Sequence, residues 1–192
     1  MCLAETWSSG LSDWRPECSE RRPSTHRHLT IRLYSRRRGI SSHCWRPHII
    51  YPPLLNLSGK AAILAPAPRQ VLLINVWASW CEACRIDLPV LERSQATIGA
   101  GVKIVTVSID EGSRQTVAEF VRKLGIRHLS IYLDPDGKLA SSDASSTAPL
   151  PLYGMPVTYL ITPSGRIAGY IAGAADWLAD DAQQLLAYYA RA

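Results

Sequence analysis

Cys81 and Cys84 form a C-x-x-C within Trp80-Cys81-Glu82-Ala83-Cys84-Arg85, directly after the apolar run Val71 to Trp77 and at the head of a predicted helix. Two thiols at this spacing can close a disulfide or supply half of a metal site, and the placement favours redox chemistry. A strand that turns into a helix leaves the first thiol among unpaired backbone N–H groups, whose partial positive charge stabilises a thiolate. An unperturbed cysteine, pKa about 8.5, is only about 3% thiolate at pH 7, and bringing it to about 7 takes about 2 kcal/mol. A helix terminus supplies about 0.3 to 1 kcal/mol when exposed and up to about 2 when partly buried, so the dipole and local donors together suffice. Cys81 is therefore expected to be the exposed nucleophile and Cys84, one turn into the helix, the more buried resolving thiol. The alternatives are a structural disulfide or half a zinc site, but no second C-x-x-C and no nearby His accompanies the pair in its domain.

The elements that must hold these thiols are legible from about residue 54. Leu54 to Lys60 predicts a short strand and turn, Pro66 and Pro68 mark a loop, and Val71 to Trp77 predicts a buried central strand. A helix is predicted from about Glu82 to Ile98, with apolar positions at Ile86, Val90 and Leu91 and with Pro89 inside it; Gly99-Ala100-Gly101 ends it. Val102 to Ile109 is a second β-rich run, so the helical connection between the two runs implies a parallel βαβ unit. Ser113 to Leu124 predicts a second helix and Leu129 to Leu133 a short strand. Lys138 to Tyr153 is expected to be a partly helical connection with a surface loop. Pro156 to Ile161 and Arg166 to Ile171 predict a hairpin, and a last helix, about Asp176 to Tyr189, is expected to bury Trp177, Leu178, Leu185 and Leu186.

The 192-residue chain is 47% hydrophobic, enough for one domain with a real core plus an extension. Its net charge of +5 is confined to residues 1–53, where nine arginines face four acids and no lysine; residues 54–192 are neutral. A basic surplus in a tail argues against a nucleic-acid-binding domain. Residues 1–53 also hold Cys2, Cys18, Cys44 and four of the five histidines, without helical or strand periodicity. They are expected to be disordered, a solvated tail or a mis-assigned start of translation. Arg36-Arg37-Arg38 with Trp45 as a phosphate contact, and Cys18 or Cys44 with His43 and His48 as zinc ligands, lack convincing spacing. Residues 1–48 carry no visible signal peptide or membrane span, and Ile49 to Leu57 is short and broken by Pro52-Pro53. No Gly-rich phosphate loop, H-E-x-x-H or calcium loop supports nucleotide or divalent-metal catalysis.

The order βαβ, helix, hairpin, helix with C-x-x-C at the first helix resembles the thioredoxin fold. Asn75-Val76-Trp77-Ala78-Ser79-Trp80-Cys81 and Arg85 to Pro89 are similar to the TlpA/ResA/CcmG group of bacterial thiol-disulfide oxidoreductases, and Gly154-Met155-Pro156-Val157-Thr158 resembles that group's cis-proline segment. Ala172-Gly173-Ala174-Ala175-Asp176-Trp177 is similar to the TlpA C-terminal region, so the resemblance spans roughly residues 54–190. It implies an α/β thioredoxin-like fold, a central mixed β-sheet flanked by helices, following a poorly structured N-terminal segment.

The resemblance also implies roles. Pro156 is expected to be cis, presenting the Met155 backbone beside Cys81 so that a substrate chain can pair with it like an added strand. Trp80 is expected to form an apolar rim and Trp77 a core contact. Thioredoxins proper carry a buried aspartate six residues before the first cysteine, where this chain has Asn75, which cannot accept a proton. The ResA-like pattern instead places a carboxylate three residues after the second cysteine, where this chain has Asp87; one turn brings it towards Cys84, with Glu82 as the alternative acid. His128, Tyr132 and Tyr153 are read as structural.

The implied activity is protein disulfide exchange, most simply reduction of disulfides in cell-envelope clients such as apocytochrome c or copper-delivery proteins. A membrane thiol donor would supply the electrons, and no cofactor beyond the Cys81–Cys84 pair, no metal and no nucleic acid is expected of a monomeric chain. The family's usual place is the periplasm or a periplasm-facing membrane anchor, with the cytoplasm as the alternative. Two other readings are a copper or zinc carrier using the same cysteines and a peroxiredoxin-like antioxidant; the latter calls for a peroxidatic cysteine in a different motif.

Overall fold

Val71–Trp77 is a run of seven residues that are all buried, which is what a strand covered on both faces requires. The computed structural model describes residues 51–191, together with the backbone of 4–7 and 31–34. The strands are β1 (Ala4–Trp7), β2 (Ile31–Tyr34), β3 (Pro53–Asn56), β4 (Ala61–Ile63), β5 (Val71–Trp77), β6 (Val102–Ser108), β7 (Ser130–Leu133), β8 (Ala140–Ser141), β9 (Leu150–Pro151), β10 (Val157–Ile161) and β11 (Ile167–Ala172). The helices are α1 (Glu82–Thr97), α2 (Arg114–Lys123) and α3 (Asp180–Arg191). Nine of the strands form a mixed sheet in the order β1-β2-β11-β10-β5-β6-β7-β3-β4. β5, β6 and β7 pair in parallel, β10 pairs antiparallel to β5, and β11 closes the predicted hairpin.

Alternation along the central strands sorts the core. Val71, Leu73 and Trp77 join one apolar cluster with Leu88 and Leu91 of α1, Val117 and Val121 of α2, and Leu185 and Leu186 of α3. Leu72, Ile74 and Val76 join a second cluster with Tyr51, Leu54, Leu139 and Leu150 on the opposite face. Asn75 belongs by its parity to the helix-covered face, and its register partners are Thr158 on β10 and Thr106 on β6. Three polar residues thus lie in one row across the middle of the sheet, all buried.

β1 pairs with β2, and β2 with β11 through Leu33 and Arg32. Several expectations are corrected. The arginine run 36–38, Trp45, and the candidate ligands Cys18, Cys44, His43 and His48 lie outside the described residues. The 138–153 connection contains no helix: the Asp134 carboxylate accepts the N–H groups of Lys138, Leu139 and Ala140, and this leads into β8 and β9, which pair in parallel. The last helix begins at Asp180, because the Asp176 carboxylate accepts the Leu178 N–H and holds a turn ahead of it, leaving Leu178 exposed. On α1 the buried stripe is Cys84, Asp87, Leu88, Leu91 and Ser94, while Ile86 faces solvent. Two polar members of that stripe shifted the apparent apolar face.

Candidate functional site

Cys81 stands between strand and helix. Its backbone is extended (φ −83°, ψ 114°), its N–H donates to Ala78 O at 3.1 Å, and its Sγ accepts the Cys84 N–H at 3.2 Å as the cap of α1. The two cysteines are joined as a disulfide, with an S–S distance of 2.10 Å. Cys81 retains 7% exposure and Cys84 none, so the first cysteine is the one that reaches solvent, though it is more buried than expected of an exposed nucleophile. Trp80 beside it is 67% exposed. The Met155–Pro156 peptide is cis, Met155 packs against the apolar cluster that contains both cysteines, and Pro156 O accepts the Gly173 N–H at 2.7 Å.

One turn beyond Cys84, Asp87 is 1% exposed and held from two directions: Asn75 Nδ2 donates to its Oδ2 at 2.8 Å and the Ala175 N–H to its Oδ1 at 3.1 Å. Burial raises its pKa to about 6, against the lowering effect of those two hydrogen bonds. Glu82, the other candidate acid, has a side chain 90% exposed, and its carboxylate lies 3.7 Å from Arg85 Nε. The structure therefore sets Asp87, and not Glu82, inside the protein below the disulfide.

Sequence reasoning named Asn75 as a supporting residue but missed the contacts that hold the site together. Asn75 spends its second amide hydrogen on Thr158 Oγ1 at 2.9 Å. The loop before Cys81 is tethered by Asp110, whose carboxylate accepts from the Ser79 N–H, Ser79 Oγ and Ser108 Oγ. Trp77 stacks on Phe120, 5.4 Å between ring centroids, and the Arg85 guanidinium lies over the same ring at 5.3 Å. The legible signals were Ser108-Ile109-Asp110 at a strand's C-terminal end and the Ala172–Trp177 resemblance, whose Ala175 N–H proves to reach Asp87. His128 pairs with Glu92 at 2.7 Å and the Glu92 carboxylate also accepts three backbone N–H groups, which fits a structural reading. Among the described residues no group of three or more His, Cys, Asp or Glu is placed to hold a metal ion.

Comparison with known proteins bears on the fold and the family. The thiol-disulfide oxidoreductase ResA of Bacillus subtilis is 27% identical over 142 residues, 73% of each chain. The thiol:disulfide interchange protein DsbE of Escherichia coli is 31% identical over 102 residues, so the chain spans about half of that relative, 49%. The crystal structure of StoA from Bacillus subtilis superposes with a TM-score of 0.56 at 23% identity, covering 74% of this chain and 98% of that one, which shows the shared fold. A family model described as thioredoxin-like matches residues 69–167, more than half of the sequence. The chain belongs to the thioredoxin-like family, among relatives named as thiol-disulfide oxidoreductases.

Proposed function

We propose that this protein reduces disulfides in client proteins of the cell envelope, with Cys81 attacking, Cys84 resolving and Asp87 taking the Cys84 proton. The observation that carries the reading is the Cys81–Cys84 disulfide at the head of α1 with a buried carboxylate one turn below it. In the reduced protein the Cys81 thiolate attacks a client disulfide; a bond forms to one client sulfur and the other leaves as a thiolate, which takes a proton from water. Cys84 passes its proton to Asp87 and attacks Cys81 Sγ, and the bond between Cys81 and the client breaks. The second client sulfur leaves as a thiolate that also takes a proton from water, so the client departs as a dithiol, two electrons richer, and the protein is left as the disulfide. A thiol donor at the membrane returns the electrons. A carboxylate with a pKa of about 6 is mostly ionised at pH 7, so it can accept that proton.

Trp80 and Met155 form the apolar rim against which a client chain lies, and the Met155–Pro156 backbone offers it hydrogen bonds. The relatives' names support disulfide exchange; the extracytoplasmic setting and clients such as apocytochrome c or copper-delivery proteins follow from the resemblance to the TlpA/ResA/CcmG group. No helix among the described residues is long and apolar enough to cross a membrane.

The test is trapping. Cys84→Ser should accumulate a covalent mixed disulfide with clients that reductant releases, and Cys81→Ser should accumulate none. Trapping by neither variant would sink the assignment. Stoichiometric copper or zinc binding without disulfide exchange would assign the pair to metal carriage instead.

A further inference from the structure

The amide of Asn75 is aimed in one direction at a cost. Both of its hydrogens are spent, on Asp87 Oδ2 at 2.8 Å and on Thr158 Oγ1 at 2.9 Å, while its own Oδ1 is buried with no hydrogen-bond partner among the described residues. A buried amide that leaves its carbonyl oxygen unpaired is held by something stronger than an ordinary neutral partner, and a carboxylate is such a partner. Thr106, the register neighbour of Asn75 on β6, has a buried hydroxyl that is also unpartnered, so this row of the sheet does not compensate the loss. The arrangement suits the ionised form of Asp87 and not the neutral one.

We propose that Asn75, oriented by Thr158, is a positioning residue that fixes the pH range in which Asp87 can take the proton of Cys84. This rests on the reading of Asp87 as the base. The groups that meet Asp87 are few: Asn75 from β5, the Ala175 N–H from the segment after β11, and Cys84 one turn back on α1. Glu82 and Arg85, the charged neighbours on α1, are at least half exposed and paired with each other, and no charged side chain contributes to the shift of Asp87. Burial pushes its proton affinity up first, and the Ala175 and Asn75 hydrogen bonds pull it back. Removing the Asn75 donor leaves burial opposed by a single hydrogen bond, so the carboxyl must hold its proton to higher pH.

Reduced full-length protein mixed with dithiobis(nitrobenzoate) separates the two sulfurs. Attack by Cys81 releases one coloured thiolate; Cys84 then gives its proton to Asp87, attacks Cys81 Sγ and releases the second. In the wild-type protein the rate of the second release should rise with pH through the ionisation of Asp87. Asn75→Leu should move that midpoint upward by about one pH unit, the scale expected for one charge-assisted hydrogen bond, with the first release unchanged. Thr158→Val, which touches only the far side of the amide, should move it the same way by less, and it serves as the test where Asn75→Leu does not fold. If Asp87→Asn leaves the pH profile of the second release intact, the base reading itself falls and the inference with it. If Asp87→Asn abolishes that limb while Asn75→Leu and Thr158→Val leave the midpoint in place, the inference alone is overturned.

Discussion

Asp87→Asn should remove a slope from the pH dependence of the protein's stability, and the size of the change can be worked from the site. The folded-state pKa of Asp87 is about 6 against an ordinary value of 3.8, a rise of about two units caused first by burial. Each unit is worth about 1.36 kcal/mol between the two protonation states, so the full linkage is about 3 kcal/mol. For a raised carboxyl the native state binds the proton more tightly than the unfolded chain. Its contribution is therefore fully present below the unfolded value and is lost as pH climbs through the folded one. Stability should fall between about pH 4 and pH 6 and then level, as far as this residue is concerned. A neutral amide in place of the Asp87 carboxyl carries no such slope. Whatever the substitution does to the hydrogen bonds from Asn75 and Ala175 is the same at every pH for the variant, so it cancels when two pH values are compared. The stability of the variant relative to wild type should grow by about 2.4 kcal/mol from about pH 4 to about pH 7.5. Urea unfolding of both oxidised proteins, followed by tryptophan fluorescence at several pH values, measures it. A difference that stays flat across that range, or one that shrinks with rising pH, would refute the assignment of a raised pKa to Asp87.

Three further substitutions probe the surroundings of the disulfide. Asp110→Ala strips the partners of Ser79 and Ser108, one of them fully buried, and should cost about 2 to 4 kcal/mol in chemical denaturation, with faster amide exchange at Ser79; a loss under about 1 kcal/mol would mean the tether does not hold the loop. Trp80→Ala should leave stability within about 0.5 kcal/mol but raise the KM for protein disulfides several-fold, while the reaction with a small aromatic disulfide is unchanged. Glu82→Gln should alter neither stability by more than about 0.5 kcal/mol nor the pH profile of exchange, because its carboxylate is in solvent and its pairing with Arg85 is loose.

How much of this was legible in the sequence depends on how local the cause is. β5, β6, α1 and the β10–β11 hairpin were readable because a strand buried on both faces needs an unbroken apolar run and a hairpin needs its turn residues. The ends of α2 were readable to within a residue because Ser113 caps it through the Thr116 N–H. What failed among the elements was set by single polar side chains that accept backbone N–H groups a few residues further along the chain. Asp134 reorganises the following segment into extended backbone, and Asp176 delays α3 by a turn, each by accepting N–H groups that an uninterrupted helix would have used internally. In the site, the cysteines and Asp87 were nameable from spacing and resemblance. The contacts of Asp87 were not, because Asn75 is 12 residues away and Ala175 is 88 away, and only the packing of α1 against the sheet brings them together.

Three carboxylates in this fold show why the one under the disulfide is suited to moving a proton. Glu92 accepts three backbone N–H groups and the His128 ring; burial is the largest single influence and raises its pKa, but the hydrogen bonds together outweigh it and hold the group below the usual carboxylate range. Asp134 also accepts three backbone N–H groups, yet deeper burial, with Asp136 nearby, leaves it raised. Asp87 is as buried as Asp134 but has two donors instead of three, and its pKa rises to about 6. Adding a donor would pull it down towards Glu92 and make it a poorer base; adding a second carboxylate would keep it protonated. The latter is what an aspartate at position 75 would do, since two carboxylates within hydrogen-bond distance cannot both ionise cheaply. A strand residue in that position therefore has to be neutral and a donor if the helix supplies the acid, and Asn75 is both. On the proposed reading the base and the amide beneath it are a matched pair, so exchanging either alone should move the pH at which Cys84 gives up its proton.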